Sequence, residues 1–168
     1  MLSISIRSYG TSDLEACRDL WRELTQRHRD IYGDQSIGGA DPGAAFDAFL
    51  LRRPTRLWVA ERDAEVVGLC GLVVSGEDTE VDPMVVRSGL RSQGIGGRLL
   101  GRAIEEARRL GVRFLSVRPV ARNVEAISFY VDAGFRTLGY IDLFVELRAG
   151  TGREWKPGIS IHGHEFKY

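Results

Sequence analysis

Cysteine is scarce in this chain: Cys17 and Cys70 are the only two in 168 residues, far apart and without C-x-x-C spacing. That excludes a disulfide framework, and two buried, reduced thiols are expected. Charge of one sign is missing as well, because 23 basic side chains balance 23 acidic ones. A one-signed field, such as a nucleic-acid or anionic-membrane binder needs, is thereby excluded. The longest apolar run, Val66 to Val74, is about half a membrane span. The start, Met1 to Arg7, alternates like a strand and lacks the basic region and continuous apolar stretch of a signal peptide. A cytoplasmic protein with no membrane and no nucleic-acid partner is expected. There is no internal repeat and no low-complexity segment. The length suits one domain, 1–168, large enough to bury roughly 70% of its unfolded surface.

What the chain does have is a strand-to-helix junction rich in glycine. Met84-Val85-Val86 is followed by a short turn and then by Arg91-Ser92-Gln93-Gly94-Ile95-Gly96-Gly97, which opens an amphipathic helix. Residues without Cβ let successive backbone N–H groups converge on an anion, and a helix N-terminus adds unpaired donors and its dipole. The result is a phosphate nest. Glycines at such a turn also serve packing, so the loop does not decide alone. Two better-known phosphate loops are ruled out by what is absent. A Walker loop needs Gly-Lys followed by Ser or Thr, where this chain has Gly97-Arg98-Leu99. A dinucleotide fingerprint needs a third small residue where Leu99 stands, and an acid about twenty residues on, where none is found around Val112 to Arg118.

The remaining pattern reads as alternating strands and helices. Ser12 with Glu15 predicts a capping box for a first helix to about Arg29, with Leu14, Cys17, Trp21, Leu24 and His28 at helical spacing. Asp41 and Pro42 predict the start of a second helix through about Leu51. Arg56–Glu61, Val66–Val74 and Thr79–Val86 predict an antiparallel meander with turns at Asp63-Ala64 and at Gly76-Glu77-Asp78. The helix from Gly94 stops at Gly111, and Val112–Val117 predicts a short buried strand parallel to Thr79–Val86. Asn123 caps a fourth helix ending at Gly134, Phe135–Leu147 predicts a long strand, and Ile159–Tyr168 a last one after a link at 148–158. Pro83 inside a strand marks a bulge or lost pairing, or else an edge position. We expect the parallel pair to splay there, exposing the N–H groups of Val85 and Val86 to an extended ligand.

The strand ending Met84-Val85-Val86, the loop Arg91-x-x-Gly94-x-Gly96 and the segment Asn123 to Phe135, in this order, resemble the GNAT superfamily of acyl-CoA-dependent N-acetyltransferases. The resemblance covers residues 2 to about 147. It implies an α/β (α+β) fold, a mixed and mostly antiparallel sheet with one splayed parallel pair, flanked by four helices. It also implies acetyl-CoA as cosubstrate. Its pantetheine arm would lie along Met84, Val85 and Val86, its pyrophosphate on Arg91, Ser92, Gln93, Gly94, Ile95, Gly96 and Gly97, Asn123 would touch the arm, and Tyr130 would also contact the cosubstrate. The motif does not distinguish acetyl from a longer acyl group.

Moving an acetyl group from a thioester to an amine sets three requirements. An alkylammonium has pKa ~10.4, so on the order of one molecule in a thousand or fewer is nucleophilic at neutral pH and a proton acceptor is needed. The resemblance implies Glu80 as the leading candidate, directly or through water, because it precedes Arg91 by the same interval as the catalytic glutamate in some GNAT members, with Asp82 the alternative on the same strand face. Both are otherwise solvated strand carboxylates. The developing oxyanion needs a preoriented donor, for which the Val86 N–H is placed. The leaving thiolate needs a proton, and Tyr130 matches the family tyrosine four residues before Gly134-Phe135, or else is an interfacial core tyrosine. No metal is expected. His162 and His164 share a face of the last strand and line the acceptor cleft or a subunit contact, and the extra strand makes a homodimer a reasonable expectation. The loop from Asp30 to Asp41, with Asp34, corresponds in position to the segment roofing the acceptor site, or holds only caps and turns. The acceptor amine is not named by the sequence. A non-catalytic acyl-CoA-binding module would keep the glycine loop but have no use for Glu80 or Tyr130. An interaction module on a degenerate fold of this kind would have lost the loop, and here it is intact.

Overall fold

The computed structural model describes residues 4–51, 55–75, 78–147 and 154–168. Residues 76 and 77 of the expected turn, residues 1–3 of the expected first strand, and 148–153 of the expected link lie outside them. The chain falls into two compact units, one built from Met1–Thr25 and Gly38–Arg118, the other from Gln26–Ile37 and Pro119–Tyr168.

The first unit holds a five-stranded sheet in sequence order, β1 (Ile4–Ser8), β2 (Thr55–Arg62), β3 (Glu65–Ser75), β4 (Asp78–Val86) and β5 (Leu115–Ser116). All pairs are antiparallel except β4 and β5, which run parallel. The β2–β3 turn is the expected Asp63-Ala64, with φ of 52° and 64°. Two successive positive φ values are those of a type I′ hairpin turn, which follows the strand twist but suits Gly better than Ala in its second position. Ala64→Gly is therefore expected to stabilise the unit by about 0.5–1 kcal/mol, read as a higher urea midpoint at unchanged m-value.

One face of the sheet carries Val59, Val66, Leu69 and Val85 against Cys17 and Leu20 of α1 (Leu14–Tyr32) and Phe46 and Phe49 of α2 (Ala44–Leu50). Phe46 and Phe49 stack at 6.3 Å and both contact the Trp21 ring, at 5.7 and 5.4 Å. The other face meets α3 (Ile95–Arg109), whose Ile95, Leu99, Leu100, Ala103 and Ala107 are buried, and Leu99 lies against Gly68 of β3.

Three expected boundaries move, each for a local reason. The first helix is entered through a 3-10 turn at Thr11–Asp13, capped not by Ser12 and Glu15 but by Asp13, which accepts from the Gly10 N–H at 2.8 Å. Asp13 is fixed there by the Arg7 fork, at 2.7 and 2.9 Å, and that hydrogen-bonded pairing holds its carboxyl below the usual range. Asp41 caps a turn, accepting from the Gly43 N–H at 3.1 Å, and α2 proper begins at Ala44. The strand expected at Val112–Val117 shrinks to Leu115–Ser116 and is not buried, Phe114 being 69% exposed.

In the second unit α4 (Val124–Asp132) is capped as expected, the Ala126 N–H donating to Asn123 Oδ1 at 3.1 Å, and Gly134 ends it at φ 101°. Phe135–Leu147, expected as a long strand, is not one. Alternating apolar residues favour an extended chain, but only a partner ladder makes a strand, and here Leu138, Tyr140, Leu143, Phe144, Val145 and Leu147 are all exposed. The last strand is instead a hairpin, β6 (Pro157–Ile161) and β7 (His164–Lys167), turning at His162-Gly163 with φ of 52° and 79°. His162 therefore sits in a turn and does not share a strand face with His164. Arg122 lies over the Tyr32 and Trp155 rings, at 5.0 and 5.8 Å, and donates to the Tyr168 carbonyl at 2.7 Å, tying this hairpin down.

Candidate active site

The site in the first unit is organised by where β4 changes its pairing. The parallel ladder with β5 consists of Thr79↔Leu115 and Glu80↔Ser116, and Ser116 Oγ donates to the Thr79 carbonyl at 3.1 Å. β5 ends at Ser116, and among the described residues β4 has no ladder partner on that side from Val81 onward, which is the open, forked edge where Pro83 predicts lost pairing. On the β3 side the register shifts between Cys70 and Leu72, so that Asp82 and Pro83 together oppose Gly71. This is a β-bulge, with one extra residue on β4.

Strand phase then decides which amides face the open side. Arg87 N–H donates to the Val67 carbonyl at 2.9 Å, making 87 and 67 a hydrogen-bonded pair in a register that continues through Val86↔Gly68, Val85↔Leu69 and Met84↔Cys70. Antiparallel pairs alternate. Val85 is accordingly bonded toward β3, while the N–H and carbonyl of Val86 and Met84 are directed to the forked edge. Of the amides expected there, the Val85 N–H is thus replaced by that of Met84. Arg91 Nε donates to the Val86 carbonyl at 3.3 Å, consistent with that direction.

The loop between β4 and α3 has the backbone a nest requires. Ser92 has φ 60° and Gly94, the helix N-cap, φ 79°. Asparagine and aspartate aside, L-residues seldom adopt this left-handed region, and a Cβ at Gly94 would be strained although it meets nothing within 4 Å. No side chain caps α3 and its first turn holds no acidic residue, so the amides of Ile95, Gly96 and Gly97 depend on another acceptor.

Glu80 and Asp82 are half-buried, and the Glu80 side chain is 23% exposed. Arg118 Nη1 stands 3.2 Å from Glu80 Oε2. No spacing in the chain marks this arginine, yet the parallel register does: it lies two residues past Ser116, the partner of Glu80. Cys17 and Cys70 are fully buried, which pushes both thiols up to about 12, far from a nucleophilic state.

Tyr130 and Asn123 belong to the second unit. The Tyr130 ring is 8% exposed and meets Phe129 and Phe135 edge-on at 5.2 and 5.8 Å. Asn123 spends its side-chain oxygen on the α4 cap. Asp34 is buried and accepts from the Ser36 N–H at 2.9 Å and the Ser36 hydroxyl at 2.5 Å, the turn-forming alternative for that carboxylate. Among the described residues no group of three or more His, Cys, Asp or Glu is arranged to hold a metal ion, and no helix is long and apolar enough to cross a membrane.

Comparison with known proteins agrees with this geometry. The family model described as "Acetyltransferase (GNAT) family" matches residues 14–135. An uncharacterized N-acetyltransferase, YjgM, from Escherichia coli strain K12 is 31% identical over 87 residues, 49% of this chain and 52% of the relative. The chain thus spans about half the length of the curated relative it matches. An acetyltransferase of the GNAT family from Staphylococcus aureus Mu50 superposes with TM-score 0.70 at 20% identity, covering 90% of this chain and 96% of that one. The PaiA N-acetyltransferase of Thermoplasma acidophilum, solved in complex with coenzyme A, gives TM-score 0.67 at 20% identity over 80% of this chain and 91% of that one. With a five-stranded mixed sheet, a fork at its one parallel pair and a family match over more than half its length, the chain belongs to the GNAT acetyltransferase family.

Proposed function

We propose that this chain, acting as one domain, transfers the acetyl group of acetyl-CoA directly to a primary amine of a small molecule, peptide or protein in the cytoplasm. The observation that carries the reading is the forked edge of β4, where Met84 and Val86 direct their amides outward beside an uncapped α3 N-terminus. An extended amide-bearing arm can pair with that edge as a strand would, and its diphosphate can accept from the loop from Arg91 to Gly97. The residues fit the group. In the proposed step Glu80, or Asp82, takes a proton from the ammonium. The amine nitrogen forms its bond to the thioester carbon while the Val86 N–H stabilises the charge growing on oxygen. The C–S bond then breaks, the thiolate takes a proton from Tyr130, the role the family resemblance gives that residue, and the second proton shed by the new amide nitrogen restores the phenol, so that one net proton remains on the carboxylate. Electrostatic balance at Glu80 comes from Arg118, which holds the carboxylate in place before the amine arrives.

The test is thiol release from acetyl-CoA against polyamines, aminoglycosides, amino acids and peptide N-termini. Glu80→Gln is expected to lower kcat about a hundredfold with coenzyme A affinity unchanged, and Tyr130→Phe to lower kcat about tenfold. Coenzyme A binding with no amine acetylated in the whole panel would instead establish a non-catalytic acyl-CoA-binding module.

A further inference from the structure

Arg62 ends β2, immediately before the Asp63-Ala64 turn, paired with Ile4 across β1 and with Glu65 across β3. Its Nη1 donates to Gln93 Oε1 at 3.1 Å. Gln93 lies between the two left-handed residues of the glycine loop, Ser92 and Gly94, so the guanidinium stands on the rim of the nest. Its other polar contact among the described residues is a long ion pair with an exposed carboxylate, Nε to Asp63 Oδ2 at 3.7 Å, of the kind worth little. One of its five N–H donors makes a hydrogen bond in this way. The loop's own arginine, Arg91, spends its Nε on the Val86 carbonyl at the open edge of β4.

An extended cosubstrate bearing a diphosphate and a further phosphomonoester brings more negative charge than one helix N-terminus matches. We propose that Arg62 is a cofactor-binding residue whose guanidinium, held against the loop by Gln93, takes a phosphate of coenzyme A. This rests on the coenzyme A reading above and adds to it a cation from a different hairpin, 31 positions from the loop residue it touches.

Calorimetric titration of coenzyme A and of 3′-dephospho-coenzyme A into wild type, Arg62→Gln, Arg62→Lys and Gln93→Ala tests it, with urea midpoints confirming that each variant is folded. Arg62→Gln is expected to weaken coenzyme A binding about tenfold, Arg62→Lys less because it keeps the charge, and Gln93→Ala by a few-fold. If Arg62 meets the ribose phosphate, the loss vanishes with the dephospho form; if it meets the diphosphate, the loss is the same for both. Either result supports the assignment. An unchanged coenzyme A dissociation constant in a folded Arg62→Gln protein overturns it while leaving the proposed function standing, whereas wild type that binds no coenzyme A overturns both.

Discussion

Gly94→Glu is expected to raise the coenzyme A dissociation constant by about a hundredfold or more. Two effects add. A carboxylate at the head of α3 stands where a phosphate should accept from the loop amides, and two like charges about 4 Å apart repel by roughly 1–4 kcal/mol. It also competes for those amides, each charge-assisted bond being worth about 1.5–3 kcal/mol. Together they come to about 2.5–7 kcal/mol, against the ~2.7 kcal/mol that a factor of one hundred requires. Because Gly94 has φ 79°, any L-residue there strains the backbone, so Gly94→Ala is the necessary companion. It carries the strain without the charge and is expected to lose only a few-fold in affinity. If the alanine and glutamate variants bind equally well, the phosphates do not sit on this loop.

The second large effect is on folding. A Cβ built on Gly71 would lie 2.2 Å from the Asp82 carbonyl oxygen and 2.8 Å from Pro83 Cδ, a collision with backbone that no rotamer relieves. Gly71→Ala is expected to destabilise the first unit by about 3 kcal/mol, since overpacking costs of 1–3 kcal/mol are exceeded when the obstacle is main chain. Against a typical total of 5–15 kcal/mol that is a large fraction. Gly101→Ala is the matched control. It adds the same methyl group inside α3, where nothing lies within 4 Å, and should stabilise by about 0.5–1 kcal/mol through helix propensity. Equal urea midpoints for Gly71→Ala and wild type would mean that β3 and β4 do not approach so closely at the bulge.

Features set by neighbours in the chain were legible before the structure, and features set by distant partners were not. Gly94 and Gly111 bracket α3 because both act within one turn of the helix they bound. Asn123 and Gly134 do the same for α4. The meander was readable from Asp63-Ala64 and the flanking apolar runs. Phe135–Leu147 misled because its alternation describes a surface suited to pairing and says nothing of whether a ladder exists. The hairpin at His162-Gly163 was hidden because His is a weaker signal for positive φ than Asn or Asp. At the site, the glycine loop was legible in its spelling, whereas Arg62 reaches it from β2 and Arg118 reaches Glu80 across the fork.

The extra residue in β4 has a steric consequence for catalysis. Val85 sits opposite Leu69 and Glu80 opposite Val73, and both partners pack toward α1 and α2, whereas Val86 is paired with Gly68 on the surface covered by α3. An uninterrupted strand would have aimed the side chains of residues 80 and 86 the same way; here they diverge. On the proposed chemistry, the carboxylate of the base therefore leaves β4 from the face that meets α1 and α2, while the oxyanion donor, a main-chain N–H lying in the plane of the sheet, stays at the open edge of the strand, so the bulge turns the Val86 side chain away from the face the base occupies.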